Sequence, residues 1–310
     1  MTLTELKYII TLAQEHHFGR AAEKCHVSQP TLSVAIKKLE RELDIAIFER
    51  SKSSVTVTPL GERIIAQAQR VLEESRAIKE IASSGKDQLT TPLKIGAIFT
   101  IGPYLFPHLV PQIHQQAPTM PLYLEENYTG VLRRQLRDGE LDAIIVALPF
   151  TETDVLTRPL YDENFVVVLP KTHAWTKQKT IKAEQLTDED LLMLGEGHCF
   201  RDQVFEHCPA LNRKHHSRLG SVLEGSSLET LKYMVASGLG ITVLPESAIS
   251  NLDLNLVTTR PFESPAPFRT VALAWRGSFP RGQAIDLLLS TAAQCRINHV
   301  TNGQAYLCLS

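Results

Sequence analysis

A chain of 310 residues is long enough for two or three domains with cores of their own, and a net charge of −2 with 21% charged residues is that of an ordinary soluble protein. No apolar stretch nears the roughly 20 residues of a membrane helix, the longest being AIIVAL at 143–148, and MTLTELKYII has no basic region ahead of an apolar run, so neither a span nor a secretory signal is expected. Five irregularly spaced cysteines argue against a secreted disulfide framework. The expectation is a cytoplasmic protein in which any disulfide is transient.

The first 58 residues read as short helical pieces. Leu3, Leu6, Ile9, Ile10 and Ala13 form one helical apolar stripe, and FGRAAEKC (18–25) forms a second piece. In SQPTLSVAIKKLEREL, Ser28 caps the helix and Pro30 falls in the first turn, where its missing N–H costs nothing. Leu32, Ala35, Ile36, Leu39 and Leu43 then mark the core face, with Thr31, Ser33, Lys37 and Lys38 opposite. Two β-type runs, IAIF (45–48) and VTVT (55–58), flank a turn with Arg50 and Lys52. Helix, helix, turn, helix and hairpin make a winged helix-turn-helix layout over 1–58.

Thr58-Pro59 opens a long helical pattern reaching about Ser84, with Ile64, Ala68, Val71, Ser75, Ile78 and Ala82 spaced as a heptad seam. At 1.5 Å per residue it is a rod of about 39 Å, which needs a partner helix or a place on its own domain. With the polar stretch 83–92 it forms a dimerisation helix and linker over 59–90. Beyond it, LKIGAIF, GPYLFPHLVPQIHQQ, MPLYLEE, TGVLRRQLRDG and LDAIIVAL alternate strand with helix, which predicts a parallel sheet covered on both faces. Ser226 and Glu229 suit a capping box for SLETLKYMVASG, which leads into LGITVLP, and RTVALAW (269–275) precedes a helical tail.

Residues 1–58 carry eight Lys/Arg against seven Asp/Glu, so arrangement must matter more than sum for binding DNA. Arg20, Lys24, Lys37, Lys38, Arg50 and Lys52 can share one face, and Gln29, Thr31 and Ser33 can approach base edges from the start of the third helix. Two linked half-sites would offset the weak charge.

A second signal lies at 195–208, GEGHCFRDQVFEHC, where Cys199 follows His198 and Cys208 follows His207. Three readings are open: a metal site, a buried inert pair, and a thiol switch. Neighbouring ligands on one metal are strained and no CxxC spacing is present, while cysteine is commonly buried and unreactive. For a switch, Arg201 and His198 supply the cationic surroundings that favour a thiolate, and Asp202 can orient the imidazole. Cys25, Cys295 and Cys308 are expected to be structural or in a loose tail.

FGRAAEKCHVSQPTLSVAIKKLERELDIAIFERSKSSVTVTPLGE resembles the LysR-type transcriptional regulators, and the likeness continues over nearly the whole chain. LLMLGEGHCFRDQ with Cys208, and SSLETLKYMVASGLGITVLP, are similar to the peroxide sensors of that family. The resemblance implies an α+β winged helix-turn-helix domain, a long dimerisation helix and a two-lobed α/β, periplasmic-binding-protein-like regulatory domain over 91–310. Lobe I would span 91–163 plus 267–300 and lobe II 164–266. It implies a homodimer or homotetramer acting on a double-stranded DNA operator, with RNA polymerase as a further partner, no cofactor or metal, and no enzymatic role. It also implies that hydrogen peroxide meets Cys199 among Thr100, Thr129, His198, Asp202 and Arg269, and that Cys208 resolves the resulting sulfenic acid to a disulfide. Thr100 and Thr129 suit this, since ligands of doubly wound sheets bind where strands end and helices begin.

A disulfide needs Cα atoms about 4.4–6.8 Å apart, whereas nine residues span about 13.5 Å in a helix and up to about 30 Å when extended. Closing this pair must refold the segment, against a loop-entropy effect of about 2.7 kcal/mol for ten residues. Two other classes remain: a LysR-type regulator answering a non-covalent small molecule, and a thiol peroxidase or metal-binding protein.

Overall fold

The computed structural model describes residues 1–50, 55–84, 88–208 and 224–295, apart from the side chains of 50 and 79–84. The chain divides into two compact units, Met1–Gly85 and Lys86–Ser310.

In the first unit, α1 (Leu3–Glu15) opens on a capping box between Thr2 and Glu5. It packs with α2 (Phe18–Lys24) and α3 (Gln29–Leu43) around Leu6, Ile9, Leu12, Leu32, Ile36 and Leu39. Ser28 caps α3, with Pro30 in its first turn. The stripes overshoot this core at their ends: Leu3, the first residue of α1, and Leu43, the last of α3, are exposed. The first hairpin strand also begins later than the apolar run suggests, as β1 (Phe48–Arg50) paired antiparallel with β2 (Val55–Val57). The Ile45 amide donates to the Glu40 carbonyl, and the Ile47 and Phe48 amides donate to the Glu40 carboxylate at 2.9 and 3.1 Å. These bonds tie the IAI segment to α3, although the Ile47 carbonyl still accepts from the Thr58 amide at 3.0 Å.

Thr58 starts α4 (Pro59–Ser84): its hydroxyl accepts from the Gly61 amide and donates to the Ala46 carbonyl, both at 2.9 Å. A Cβ at Gly61 would lie 2.3 Å from the Ile47 carbonyl oxygen, so only glycine allows this approach. The heptad seam is divided. Ala68 is buried in the unit's own core, Ile64 and Val71 pack partly against it, and Ile78 is 68% exposed.

The second unit contains β3 (Leu93–Ile98), α5 (Gly102–Gln116), β4 (Leu122–Asn127), α6 (Thr129–Arg137), β5 (Ala143–Ala147), β6 (Val155–Pro170), β7 (Leu191–Leu194), α7 (Cys199–His207), β8 (Glu224–Gly225), α8 (Leu228–Ala236), β9 (Ile241–Pro245), β10 (Val257–Pro261), β11 (Phe268–Arg276) and α9 (Gly282–Gln294). The strands run β4-β3-β5-β11-β6-β9-β7-β8, with β10 on β6. The sheet is mixed, not parallel. Pairs β3/β4, β3/β5, β7/β9 and β7/β8 are parallel, but β11 is antiparallel to β5 and β6, and β6 to β9 and β10.

The cause is β6. Its residues 155–164 pair with β11, while 165–170 pair with β9 and β10, so one strand serves two cores. One core draws on residues 93–161 and 271–295, the other on 165–262. The cap of α8 also differs from expectation. Ser227, not Ser226, accepts from the Thr230 amide at 3.1 Å, and Glu229 instead accepts from the Tyr104 hydroxyl at 2.9 Å and pairs with Lys232 at 2.7 Å.

Candidate functional site

Cys199 is the first residue of α7 and Cys208 its C-cap, so the two thiols mark opposite ends of one helix. Both are free. The chain reaches Cys199 through Gly197, at φ +93, a left-handed conformation suited to glycine. A Cβ there would also lie 3.3 Å from the Tyr128 ring. This turn seats half-buried Cys199 against the core of residues 93–161 and 271–295, although the body of α7 packs in the other core.

Cys199 borders a small hollow with Ile98, Phe99, Thr100, Asn127, Tyr128, Thr129, Gly197 and His198. The hollow is small, with room for about one water molecule. Its walls are the ends of β3 and β4 and the starts of α6 and α7. Thr129 presents a buried hydroxyl with no hydrogen-bond partner among the described residues, an atom whose burial costs free energy until something binds it. His198 is buried beside Tyr128 and Phe99, with ring centroids at 4.8 and 6.0 Å. Burial pushes its pKa below the ordinary 6.5, which favours the neutral ring at neutral pH.

The two basic residues expected near the thiol have other duties. Arg201 is buried and donates to the Leu194 carbonyl at 3.1 Å and to Glu224 at 2.6 Å, tying α7 to β7 and β8. Arg269 does not line the hollow but stands behind it. Its Nη1 donates to the Thr100 hydroxyl and its Nη2 to the Thr100 carbonyl, both at 2.8 Å. Asp202 does not line the hollow. Inward positions of α7 are Phe200, Arg201, Gln203 and Val204, which leaves Asp202 exposed on the other face. Sequence reasoning missed Phe99, Asn127 and Tyr128, although they adjoin Thr100 and Thr129 at the same strand ends.

Cys208 has a contrasting setting. It is buried in the core of residues 165–262, and burial, reinforced by the Glu184 charge, pushes its thiol up to about 11. Cys295 is likewise buried and pushed up to about 11, and Cys25 is half-buried. Cys308 lies outside the described residues. Among the described residues, no group of three or more His, Cys, Asp and Glu side chains is placed to hold a metal, and no helix is long and apolar enough to cross a membrane.

On the first unit, α3 exposes Gln29, Thr31 and Lys37, while Ser33 is half-buried. The Thr31 hydroxyl is bonded to Ser28 at 2.8 Å. Arg20 and Lys24 pair with Glu15 at 3.5 and 2.6 Å, and Lys38 pairs with Glu5 at 3.1 Å. The basic side chains of these pairs are exposed, whereas Glu15 is half-buried and Glu5 is buried. Val34, not singled out from sequence, is 66% exposed on the same helix. The Arg50 side chain and all of Lys52 lie outside the described residues.

Residues 3–62 match the model of the bacterial regulatory helix-turn-helix proteins of the lysR family, and residues 86–295 match the LysR substrate binding domain. The chain belongs to the LysR family. This LysR-family regulator is 40% identical, over 90% of its length and 91% of the relative's, to the DNA-binding transcriptional dual regulator OxyR of Escherichia coli. A full-length Pseudomonas aeruginosa OxyR with a cysteine-to-aspartate substitution aligns at TM-score 0.73 and 59% identity, covering 98% of this chain and 99% of that one. A hydrogen-peroxide-bound cysteine-to-serine mutant of Corynebacterium glutamicum OxyR aligns at TM-score 0.63 and 33% identity, covering 94% and 92%. The winged helix-turn-helix unit and mixed α/β regulatory unit of this regulator are thus those of its family.

Proposed function

We propose that this LysR-family regulator senses hydrogen peroxide at Cys199 and transmits the signal to operator DNA, controlling oxidative-stress genes. The observation that carries the reading is the hollow: a half-buried thiol, the Thr100 hydroxyl and an unpartnered Thr129 hydroxyl around space for one small polar molecule. A bulky metabolite does not fit it, which disfavours a non-covalent effector at this place.

The chemistry balances in two steps. The Cys199 thiolate attacks one peroxide oxygen, the S–O bond forms and the O–O bond breaks, and the departing hydroxide takes a proton to become water. The Cys208 sulfur then attacks the sulfenic acid, forming the S–S bond and releasing a second water. An external thiol reductant reverses the switch. Since α7 holds the sulfurs one helix length apart, oxidation must unwind it, which withdraws Cys199 from its core and Cys208 from the other.

For DNA, Gln29, Thr31 and Ser33 read bases, joined by Val34, while Arg20, Lys37, Arg50 and Lys52 meet phosphate. The exposed end of α4 around Ile78 pairs with a second copy in a homodimer, itself part of a homotetramer. Domain limits follow as 1–58, 59–90 and 91–310, with lobe I at 91–163 plus 267–300 and lobe II at 164–266. The lobe limits are supported by the two separate cores. The regulator acts in the cytoplasm, engages RNA polymerase and is not an enzyme. Footprinting on an operator with and without peroxide tests the reading: the wild-type footprint should change and the Cys199→Ser footprint should not. A wild-type footprint indifferent to peroxide would refute it.

A further inference from the structure

Behind the hollow lies a buried ion pair that the sensing reaction does not require by itself. Glu163 on β6 stands directly across from Arg269 on β11, and Arg269 Nε donates to Glu163 Oε1 at 2.6 Å. Both side chains are fully buried. Such a pair is costly unless its geometry is fixed by further bonds, and here the remaining bonds run to one residue. The two terminal nitrogens of Arg269 hold the hydroxyl and the carbonyl of Thr100, while the Phe200 ring lies 5.2 Å below the guanidinium.

The direction of these bonds matters. Arg269 has only donors, so the Thr100 hydroxyl accepts from it. Its single proton is then left to point elsewhere, and Thr100 borders the hollow with Cys199. A hydroxyl bonded to a cation is also a stronger donor. When the Cys199 thiolate attacks peroxide, negative charge develops on the departing oxygen, which needs a donor held in place in advance.

We infer that Glu163 is a positioning residue for the oxidation of Cys199: it fixes the Arg269 guanidinium, which turns the Thr100 hydroxyl proton toward the oxygen that leaves. This rests on the reading of the hollow as the peroxide site. It assigns a role to a carboxylate that touches neither peroxide nor thiol. The second carboxylate oxygen of Glu163 has no hydrogen-bond partner among the described residues, so no further bond on that oxygen accounts for the residue.

The test compares Glu163→Gln, Thr100→Val and the double variant in the full chain. Two second-order rates are read at Cys199: oxidation by hydrogen peroxide and alkylation by iodoacetamide, which needs the thiolate but no proton on its leaving iodide. Glu163→Gln should slow oxidation by roughly tenfold to a hundredfold, the scale of a misplaced reacting group, and leave alkylation within about twofold. In the Thr100→Val background the same substitution should add almost nothing, because the two act in one chain. Glu163→Asp, which keeps the charge, should recover much of the rate and serves if the glutamine variant does not fold. Equal slowing of both reactions, additive effects, or an unchanged oxidation rate would overturn the inference. If wild-type Cys199 itself does not react with peroxide, the proposed function fails first, and that outcome is distinct.

Discussion

The two ends of α7 hold the same functional group in opposite circumstances. Cys199, at its head, is half-buried beside polar groups that include an unpartnered hydroxyl. Cys208, at its tail, is enclosed by apolar side chains, and burial pushes its thiol up to about 11. A thiolate is the nucleophile, and removing a charge from water is costly. The contrast fits the proposed division of labour, in which the half-buried head meets peroxide first and the buried tail, favoured as a thiol, follows.

The largest effect should come from exchanging each sulfur for oxygen. Cys199→Ser should remove the peroxide response entirely, because a serine hydroxyl is not ionised near neutral pH. Cys208→Ser should keep the first step, so that a sulfenic-acid trap labels Cys199 without a disulfide following. A trap that labels Cys208 first would reverse the assignment of the two ends.

A subtler change at the head is Thr129→Val. The hydroxyl it removes has no partner among the described residues, so stability in urea should hold or rise slightly. Oxidation of Cys199 should slow by about fivefold to tenfold, the worth of one hydrogen bond to the bound peroxide. Loss of stability without loss of rate would show that the hydroxyl supports the fold and not the ligand.

At the tail, pH sharpens the contrast. The folded Cys208 thiol titrates above its ordinary 9.0, at about 11, so folding favours its protonated form. The stability from that preference is complete below pH 9 and is lost as pH rises from 9 to 11. The advantage of wild type over Cys208→Ala in chemical denaturation should shrink across that window.

The smallest effect is the reverse case at the head. His198 titrates below 6.5, so its contribution is present above pH 6.5 and is lost as pH falls below it. Wild type should lose slightly more stability on acidification than His198→Gln does, measured by thermal unfolding.

The same contrast between local and distant order decides how much was legible in the sequence. Ser28, Pro30, Leu32, Ile36 and Leu39 lie on one helix, so their spacing disclosed α3 directly. β6 was not legible. Its middle, YDEN, interrupts the apolar run, and what makes it one strand is pairing with β11, more than a hundred positions away. That strand and β11, which is also antiparallel to β5, make the sheet mixed. In the site, the family resemblance points to Thr100, Thr129 and Cys199, and the strand-end positions of the two threonines agree with it. Adjacency in sequence does not say how a side chain is engaged: Asp202 is exposed and does not line the hollow, and Arg201 is bonded to Leu194 and Glu224. Arg269 bonds Thr100, and Glu163 bonds Arg269, contacts that no spacing in the chain announces.

The central claim is that one helix exchanges its fold for a bond between its own two ends. Non-reducing peptide mapping by mass spectrometry, before and after low-dose hydrogen peroxide, tests it most directly. The account requires that untreated protein give only free thiols, that treated protein give a cross-link between Cys199 and Cys208, and that a thiol reductant restore the first pattern. A disulfide joining any other pair, or a footprint that changes while both thiols stay free, would contradict it.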